Sequence, residues 1–137
     1  MSDTFSIAIE PHRKLLRVTL VGFLSRDDVA AYLVAKNAAL VQLGAGPNQH
    51  VTLCDVSKST LQSQEVALEF QKSISDPRHM SRRIAFVTGS SLARMQVQRL
   101  LTRAGGACFD TIAEAEAWLF RSDDELAHPH RTLRHAP

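Results

Sequence analysis

Two groups of polar residues follow apolar segments of the chain, and their side chains suit anion binding or phosphorylation. The first group consists of Asp55, Ser57, Lys58, Ser59, Thr60 and Ser63. The second consists of Thr88, Gly89, Ser90, Ser91 and Arg94. Hydroxyls and free backbone N–H groups at a helix start bind anions, and Arg94 lies one turn into the predicted helix. The alternative is ordinary helix capping by Ser90 or Ser91.

A catalytic role, if the protein had one, would rest on Asp55, which directly follows a predicted buried strand. Burial there would favour a raised carboxyl pKa and an acid or base role beside Ser57 and Ser59. The alternative is that Asp55 caps the following turn. The chain contains no G-x-x-x-x-G-K-[ST] loop, G-x-G-x-x-G fingerprint or H-E-x-x-H motif, and Ser90 and Ser91 lack a G-x-S-x-G elbow. We therefore expect neither an enzyme nor a cofactor.

Metal ligands and disulfides are not indicated either. His128, His130 and His135 are close in sequence, but no cysteine or predicted element supports them, so we predict no metal site. Cys54 and Cys108 both fall within predicted strands, where a thiol usually behaves as a small buried apolar group. We expect both to be reduced.

Composition restricts the class of protein. A chain of 137 residues with 45% hydrophobic and 22% charged residues is typical of one globular domain. A formal net charge of +2 is too small to indicate nucleic-acid binding. No apolar run is long enough to span a bilayer, and the first residues lack the pattern of a signal peptide, so we expect a cytoplasmic protein without a transmembrane segment.

The hydrophobic pattern predicts the elements that position the polar groups. Alternation at residues 5–9 and an apolar run over 15–21 predict an antiparallel hairpin. A helix over residues 26–43 follows, with Ser25 as its N-cap and an inner stripe of Val29, Leu33, Leu40 and Val41, with Asn37 also pointing inward. Short apolar runs at 51–56, 84–87 and 107–109 predict further strands, separated by two helices, the second ending at residues 105–106.

A fourth helix completes the predicted domain. Thr111 and Glu114 fit a capping box, and Ile112, Ala115 and Leu119 provide core contacts. The order predicts an α/β domain over residues 1–120 and a polar, mobile tail over 121–137. Its mixed, mostly parallel sheet has about five strands, an N-terminal antiparallel hairpin and four helices. Ligand groups in such sheets lie beyond the carboxyl ends of the strands, here residues 55–60 and 88–91.

The chain resembles the STAS and SpoIIAA-like family of anti-sigma-factor antagonists, which is related to the Sec14-type lipid-binding fold. The resemblance covers roughly residues 5–120, through the stretches 18–22 (VTLVG), 53–57 (LCDVS), 83–87 (RIAFV), 109–111 (FDT) and 117–119 (AWL). Antagonist members carry a phosphorylated serine in an Asp-Ser-Ser-Gly motif after the central strand. The matching stretch here lacks that tetrapeptide. If phosphorylation occurs, we predict it at Ser57, Ser59, Thr60 or Ser63.

The third helix carries an unusual outer face. Its predicted inner stripe is Ala93, Val97, Leu100, Leu101 and Ala104. The opposite face carries Leu92, Met95, Gln96, Arg99 and Arg103. Methionine and arginine are enriched at interfaces, although scattered exposed apolar residues also occur on monomers. This face lies within an arginine-rich region, and the fourth helix is acidic, so an acidic partner or a second copy would complement it.

Three functions follow from these observations. The favoured hypothesis is a non-enzymatic regulatory or interaction domain that binds a partner protein or forms a homodimer. The alternative is a domain that binds a small apolar or anionic molecule between the sheet and a helix, as the Sec14 resemblance implies. The third is an enzyme that uses Asp55.

Overall fold

A computed structural model describes residues 4–101 and 105–122 and contains one five-stranded sheet in the order β1-β2-β3-β4-β5. The strands are β1 (Phe5–Glu10), β2 (Leu15–Gly22), β3 (Val51–Ser59), β4 (Arg83–Val87) and β5 (Gly106–Phe109). β1 is antiparallel to β2, and the other neighbours are parallel. The α-helices are α1 (Arg26–Leu43), α2 (Gln64–Ile74), α3 (Ser91–Leu100) and α4 (Ile112–Leu119). The predicted fold class is confirmed.

Helices cover the two faces of the sheet unequally, because successive strand residues point to opposite faces. Leu16 and Val18 of β2 belong to a core with residues of α1, α2 and α3. Their neighbour Leu15 belongs to the second core, against Ala115 and Leu119 of α4. Residues 51–54 of β3 and all of β4 are buried, because both faces of the sheet are covered there.

Each α-helix begins at a side-chain cap. The Ser25 hydroxyl accepts from the Asp28 N–H, and the Asp28 carboxylate accepts from the Ser25 N–H, which completes a capping box. Ser63 and Ser90 cap α2 and α3. Thr111 caps α4 by accepting from the Glu114 N–H, as predicted.

Two predicted boundaries are wrong. β3 continues through Ser57 and Lys58 to Ser59, where we expected a loop, because a register shift between Thr19 and Val21 of β2 lets the two strands keep pairing. α3 ends at Leu100, short of the predicted end at residues 105–106.

Three predicted inward positions are also wrong. Asn37 is exposed, and Val41 is 81% exposed. The inner side of α1 instead includes Tyr32, Lys36 and Ala39, which places Asn37 and Val41 outside. Ile112 is 43% exposed, because α4 packs through Ala115 and Leu119 and Ile112 is its first residue.

Some predictions concern residues outside the described ranges. These are the predicted mobile tail from residue 123 onward, with His128, His130 and His135, and the helix positions Arg103 and Ala104. Within the described ranges, no helix has both the length and the apolarity needed to cross a bilayer.

Candidate functional site

The end of β3 forms its own polar contacts. Asp55 Oδ1 accepts from the Ser57 N–H at 3.0 Å and from the Ser57 hydroxyl at 2.6 Å. The Ser59 hydroxyl donates to the Val56 carbonyl at 2.8 Å. Asp55 therefore holds the strand end, as expected of an aspartate that caps a turn. Ser57, Lys58 and Thr60 are exposed, whereas Ser59 and Ser63 are half-buried.

Gln62 joins three parts of this end of the sheet. Its Oε1 accepts from the Leu24 N–H at 2.9 Å. Its Nε2 donates to the carbonyls of Gly22 and Thr60. Its backbone N–H and C=O both bond the Gln96 side-chain amide, at 3.1 Å each. One residue thus connects the segments after β2 and β3 to α3, and nothing in the sequence pattern had pointed to it.

The turn after β4 touches the end of β3. A Cβ added at Gly89 would lie 2.5 Å from the Ser57 carbonyl oxygen, which is too close for any side chain. Glycine is required here because the two backbones approach so closely. The two polar groups that the sequence predicted, residues 55–63 and 88–94, are therefore direct neighbours.

A surface pocket of about 410 Å³ lies at the start of α3. It is lined by Thr88, Gly89, Ser90, Ser91, Arg94 and Asp110. The Ser90 hydroxyl caps the Ala93 N–H, as the capping alternative predicts. Arg94 forms an ion pair with Asp110, a carboxylate that the sequence analysis did not place here. The pocket therefore brings the five predicted residues together and adds Asp110, whose charge is opposite to that of Arg94.

Thr88 is the exception among the residues of this pocket. It is 5% exposed, and its buried hydroxyl has no hydrogen-bond partner among residues 4–101 and 105–122. Buried polar groups are nearly always hydrogen-bonded, so an isolated hydroxyl beside a helix start requires an explanation.

An apolar cavity of about 60 Å³ lies between the sheet and the helices on its α1 side. Phe86, Ile74 and Val97 contribute to its apolar wall, and Gln62 and Gln96 contribute polar groups. Burial raises the pKa of the Cys54 thiol to about 12 and also raises the pKa of the Tyr32 phenol. Both groups are therefore neutral at physiological pH, and the cavity favours an uncharged, apolar occupant.

One basic side chain also lines this cavity. Lys36 is 6% exposed, and its Nζ donates to the Ser73 hydroxyl of α2 at 2.7 Å. The sequence did not predict this inward position, because the side chain of lysine usually lies in solvent.

Four large apolar side chains surround the carboxyl end of the sheet and are exposed. We call them the apolar rim: Phe23, Leu61, Leu92 and Met95. Leu92, Met95 and Arg99 of α3 are exposed, as the interface hypothesis required. Gln96, the fourth member of that predicted face, is instead half-buried and bonded to Gln62. The fifth, Arg103, lies outside the described residues.

Metal binding finds no support in the described part of the chain. Among residues 4–101 and 105–122, no group of three or more His, Cys, Asp or Glu side chains is arranged to hold a metal ion. Cys54 and Cys108 are free thiols, the first buried and the second half-buried.

Comparisons with known proteins identify the fold. No protein-family model and no curated protein matches the chain. An uncharacterised protein of the DUF3478 family from Shewanella loihica PV-4, described as having a SpoIIAA-like fold, matches with a TM-score of 0.67 and 22% identity. The match covers 87% of this chain and 98% of that one.

An anti-sigma factor antagonist from Mycobacterium paratuberculosis matches with a TM-score of 0.52 and 11% identity, over 87% of this chain and 97% of that one. The chain therefore has the STAS/SpoIIAA-like fold that its sequence resembles. At these identities the likeness establishes the fold alone, so function has to be argued from the residues.

Proposed function

We propose that this domain is a non-enzymatic regulatory module that binds a partner protein at the carboxyl end of its sheet. The observation that carries the proposal is the apolar rim: Leu92 is 61% exposed, Phe23 58% and Met95 49%. Large apolar groups gathered at one end of a domain are typical of an interaction surface. The antagonist from Mycobacterium paratuberculosis, named for its action on an anti-sigma factor, has the same fold and supports a protein partner.

Backbone contacts hold the members of the apolar rim close together. The Thr60 N–H bonds the Gly22 carbonyl at 3.1 Å, which brings the neighbouring residues Leu61 and Phe23 near each other. The contacts between Gln62 and Gln96 likewise place Leu61 beside the helix turn that carries Met95. These hydrogen bonds therefore support a rim in which Phe23, Leu61 and Met95 lie near one another.

Charge around the apolar rim favours an acidic partner. Lys58 precedes the rim on β3, and Arg99 lies one turn beyond Met95 on α3, and both are exposed. Complementary charge at the edge of an interface increases the association rate and selects among partners. The proposed partner thus presents apolar side chains surrounded by aspartate or glutamate.

The partner is to be identified by photo-crosslinking in the cells that produce the protein. A photoreactive residue at Met95 should capture one defined protein, whereas the same residue at Val41, exposed on α1, should not. With the purified partner, Met95→Glu should raise Kd by about tenfold or more, and Val41→Glu should leave it unchanged. Equal crosslinking at both positions contradicts the proposal. A Met95 adduct with a second copy assigns the surface to a homodimer.

Phosphorylation at the end of β3 would regulate this surface. Ser57 and Thr60 are exposed and accessible to a kinase, whereas the Ser63 hydroxyl is engaged in capping α2. A phosphate on Ser57 adds about −2 charge beside Asp55 and so would break the contact that holds the strand end, with Lys58 available as a counter-charge. Phosphopeptide mapping that finds modification only outside residues 57–63 contradicts this regulation.

A second function, binding of a small apolar molecule, is supported by the cavity beneath Gln62. Its apolar wall and neutral Cys54 and Tyr32 suit an uncharged ligand. Native mass spectrometry of freshly purified protein should then show a bound molecule, and Ala93→Leu, which fills the cavity, should remove it. Protein of bare mass in both samples excludes this function.

A further inference from the structure

The geometry points to a phosphate site at the start of α3, formed by the Thr88 hydroxyl, the N–H groups of Ser91 and Leu92, and the Arg94 guanidinium. The ligand class is inorganic phosphate or a small phosphate monoester that keeps a proton. The site uses the backbone N–H of Leu92, whose side chain belongs to the apolar rim, and it shares no lining residue with the cavity. The proposal does not depend on protein binding.

Donors at this helix start are left over after capping. Ser90 caps the Ala93 N–H, and the Arg94 N–H bonds the Ser90 carbonyl. The N–H groups of Ser91 and Leu92 have no helical carbonyl four residues before them, so they stay outside the hydrogen-bond ladder of α3. The partial positive charge of a helix start adds to these donors, which favours an anion.

Thr88 distinguishes this helix start from the other described ones. Its hydroxyl is the only one lining the pocket that is both buried and without a hydrogen-bond partner among residues 4–101 and 105–122. A desolvated hydroxyl without a partner destabilises the fold. Rotation of the Thr88 side chain toward the pocket would let a bound phosphate oxygen accept from this hydroxyl and remove that cost.

Arg94 and Asp110 together determine which anion fits. The guanidinium gives charge-assisted hydrogen bonds to an oxyanion, which would draw Arg94 partly away from Asp110. The Asp110 carboxylate would repel sulfate, which carries no proton near neutral pH. It would accept a hydrogen bond from the hydroxyl of a protonated phosphate. The pair therefore selects protonated phosphate over sulfate.

The test is titration of the full chain with inorganic phosphate, monitored by amide chemical shifts at constant ionic strength set with chloride. We expect saturable shifts at residues 88–92 and none at residues 63–66, where α2 begins with the same kind of serine cap. Sodium sulfate should bind at least about tenfold more weakly, since one charge-assisted hydrogen bond is replaced by repulsion.

Variants separate the site from general charge attraction. Thr88→Val and Arg94→Gln should each weaken phosphate binding about tenfold, whereas Arg99→Gln, which removes the same charge from an exposed position on the same helix, should not. Asp110→Asn should abolish the preference over sulfate. Titration with glycerol phosphate shows whether an ester fits as well as the free ion. The absence of shifts at residues 88–92, or equal weakening by Arg99→Gln, overturns the proposal.

Discussion

The ends of β3 and β4 are alike in sequence and opposite in their hydrogen bonding. Both end an apolar strand, carry hydroxyl residues and lead to a helix that a serine caps. At the end of β3, the side chains of Asp55, Ser59 and Gln62 form hydrogen bonds with neighbouring protein atoms. After β4, the Thr88 hydroxyl has no hydrogen-bond partner in the part of the chain that the structure describes.

The difference concerns what each segment can bind. A segment whose polar groups bond one another is rigid, and it can offer apolar side chains such as Leu61 to another protein without unmet donors at the interface. A segment with unused donors is suited to a small polar ligand that supplies the missing acceptor. Both segments are rich in hydroxyl side chains, so composition alone does not distinguish them. What distinguishes them is whether each hydroxyl has a hydrogen-bond partner within the protein.

The largest expected effect comes from Gly89→Ala, which tests whether the two segments are coupled. The added Cβ would clash with the Ser57 backbone, so one segment has to move. Overpacking of this kind destabilises a fold by up to about 3 kcal/mol, and we expect Gly89→Ala to lower the unfolding free energy by that amount. Urea denaturation measures the loss.

Gly46→Ala is the matched control for this substitution. Its Cβ would meet Gln49 Oε1 at 3.3 Å, and this exposed side chain can move and exchange its hydrogen bond from the Gly46 N–H for one with solvent. We expect a change within about 0.5 kcal/mol. If both variants are equally stable, the contact between the segments does not constrain the fold.

Gln62→Ala has the next largest expected effect, because it removes the bonds that satisfy the β3 segment. The Leu24 N–H loses its acceptor, and the carbonyls of Gly22 and Thr60 lose a donor. We expect a loss of about 2 kcal/mol in unfolding free energy. Gln64→Ala, at an exposed position in the first turn of α2, should change stability by less than about 0.5 kcal/mol. Similar losses in both variants would show that the segment does not depend on Gln62.

The sequence predicted those elements correctly that depend on residues close together in the chain. Apolar runs gave the strands, and Ser25 and Thr111 marked two helix starts, since capping depends on residues three apart. The rotation of α1 was wrong because the helix is apolar on nearly every side, so the pattern favours no face, and tertiary packing turned Lys36 inward. Gln62 and Asp110 were missed because their partners lie 34 and 16 residues away.

Thr88→Val tests the difference between the two segments through a gain in unfolding free energy, which is smaller than the losses expected above. Valine keeps the shape of the side chain and removes the unsatisfied hydroxyl, so unfolding free energy in phosphate-free buffer should rise by about 1 kcal/mol. Thr52→Val is the control, because the Thr52 hydroxyl is also buried but bonds the Ser81 hydroxyl at 2.6 Å. That variant should lose about 1 kcal/mol. Destabilisation of both would mean that the Thr88 hydroxyl has a partner after all.

The smallest expected effect on stability belongs to Met95→Glu, which tests whether the apolar rim is a free surface. Met95 is 49% exposed, whereas Val97, two residues further along α3, is 7% exposed and belongs to the core. A charge at Met95 stays in solvent, so the unfolding free energy should change by less than about 0.5 kcal/mol. The same charge at Val97 would be placed in the apolar core, and Val97→Glu should not fold. Circular dichroism during thermal denaturation compares the two variants directly. If Met95→Glu unfolds the domain as Val97→Glu does, this side of α3 is part of the core, and the rim is not available to a partner.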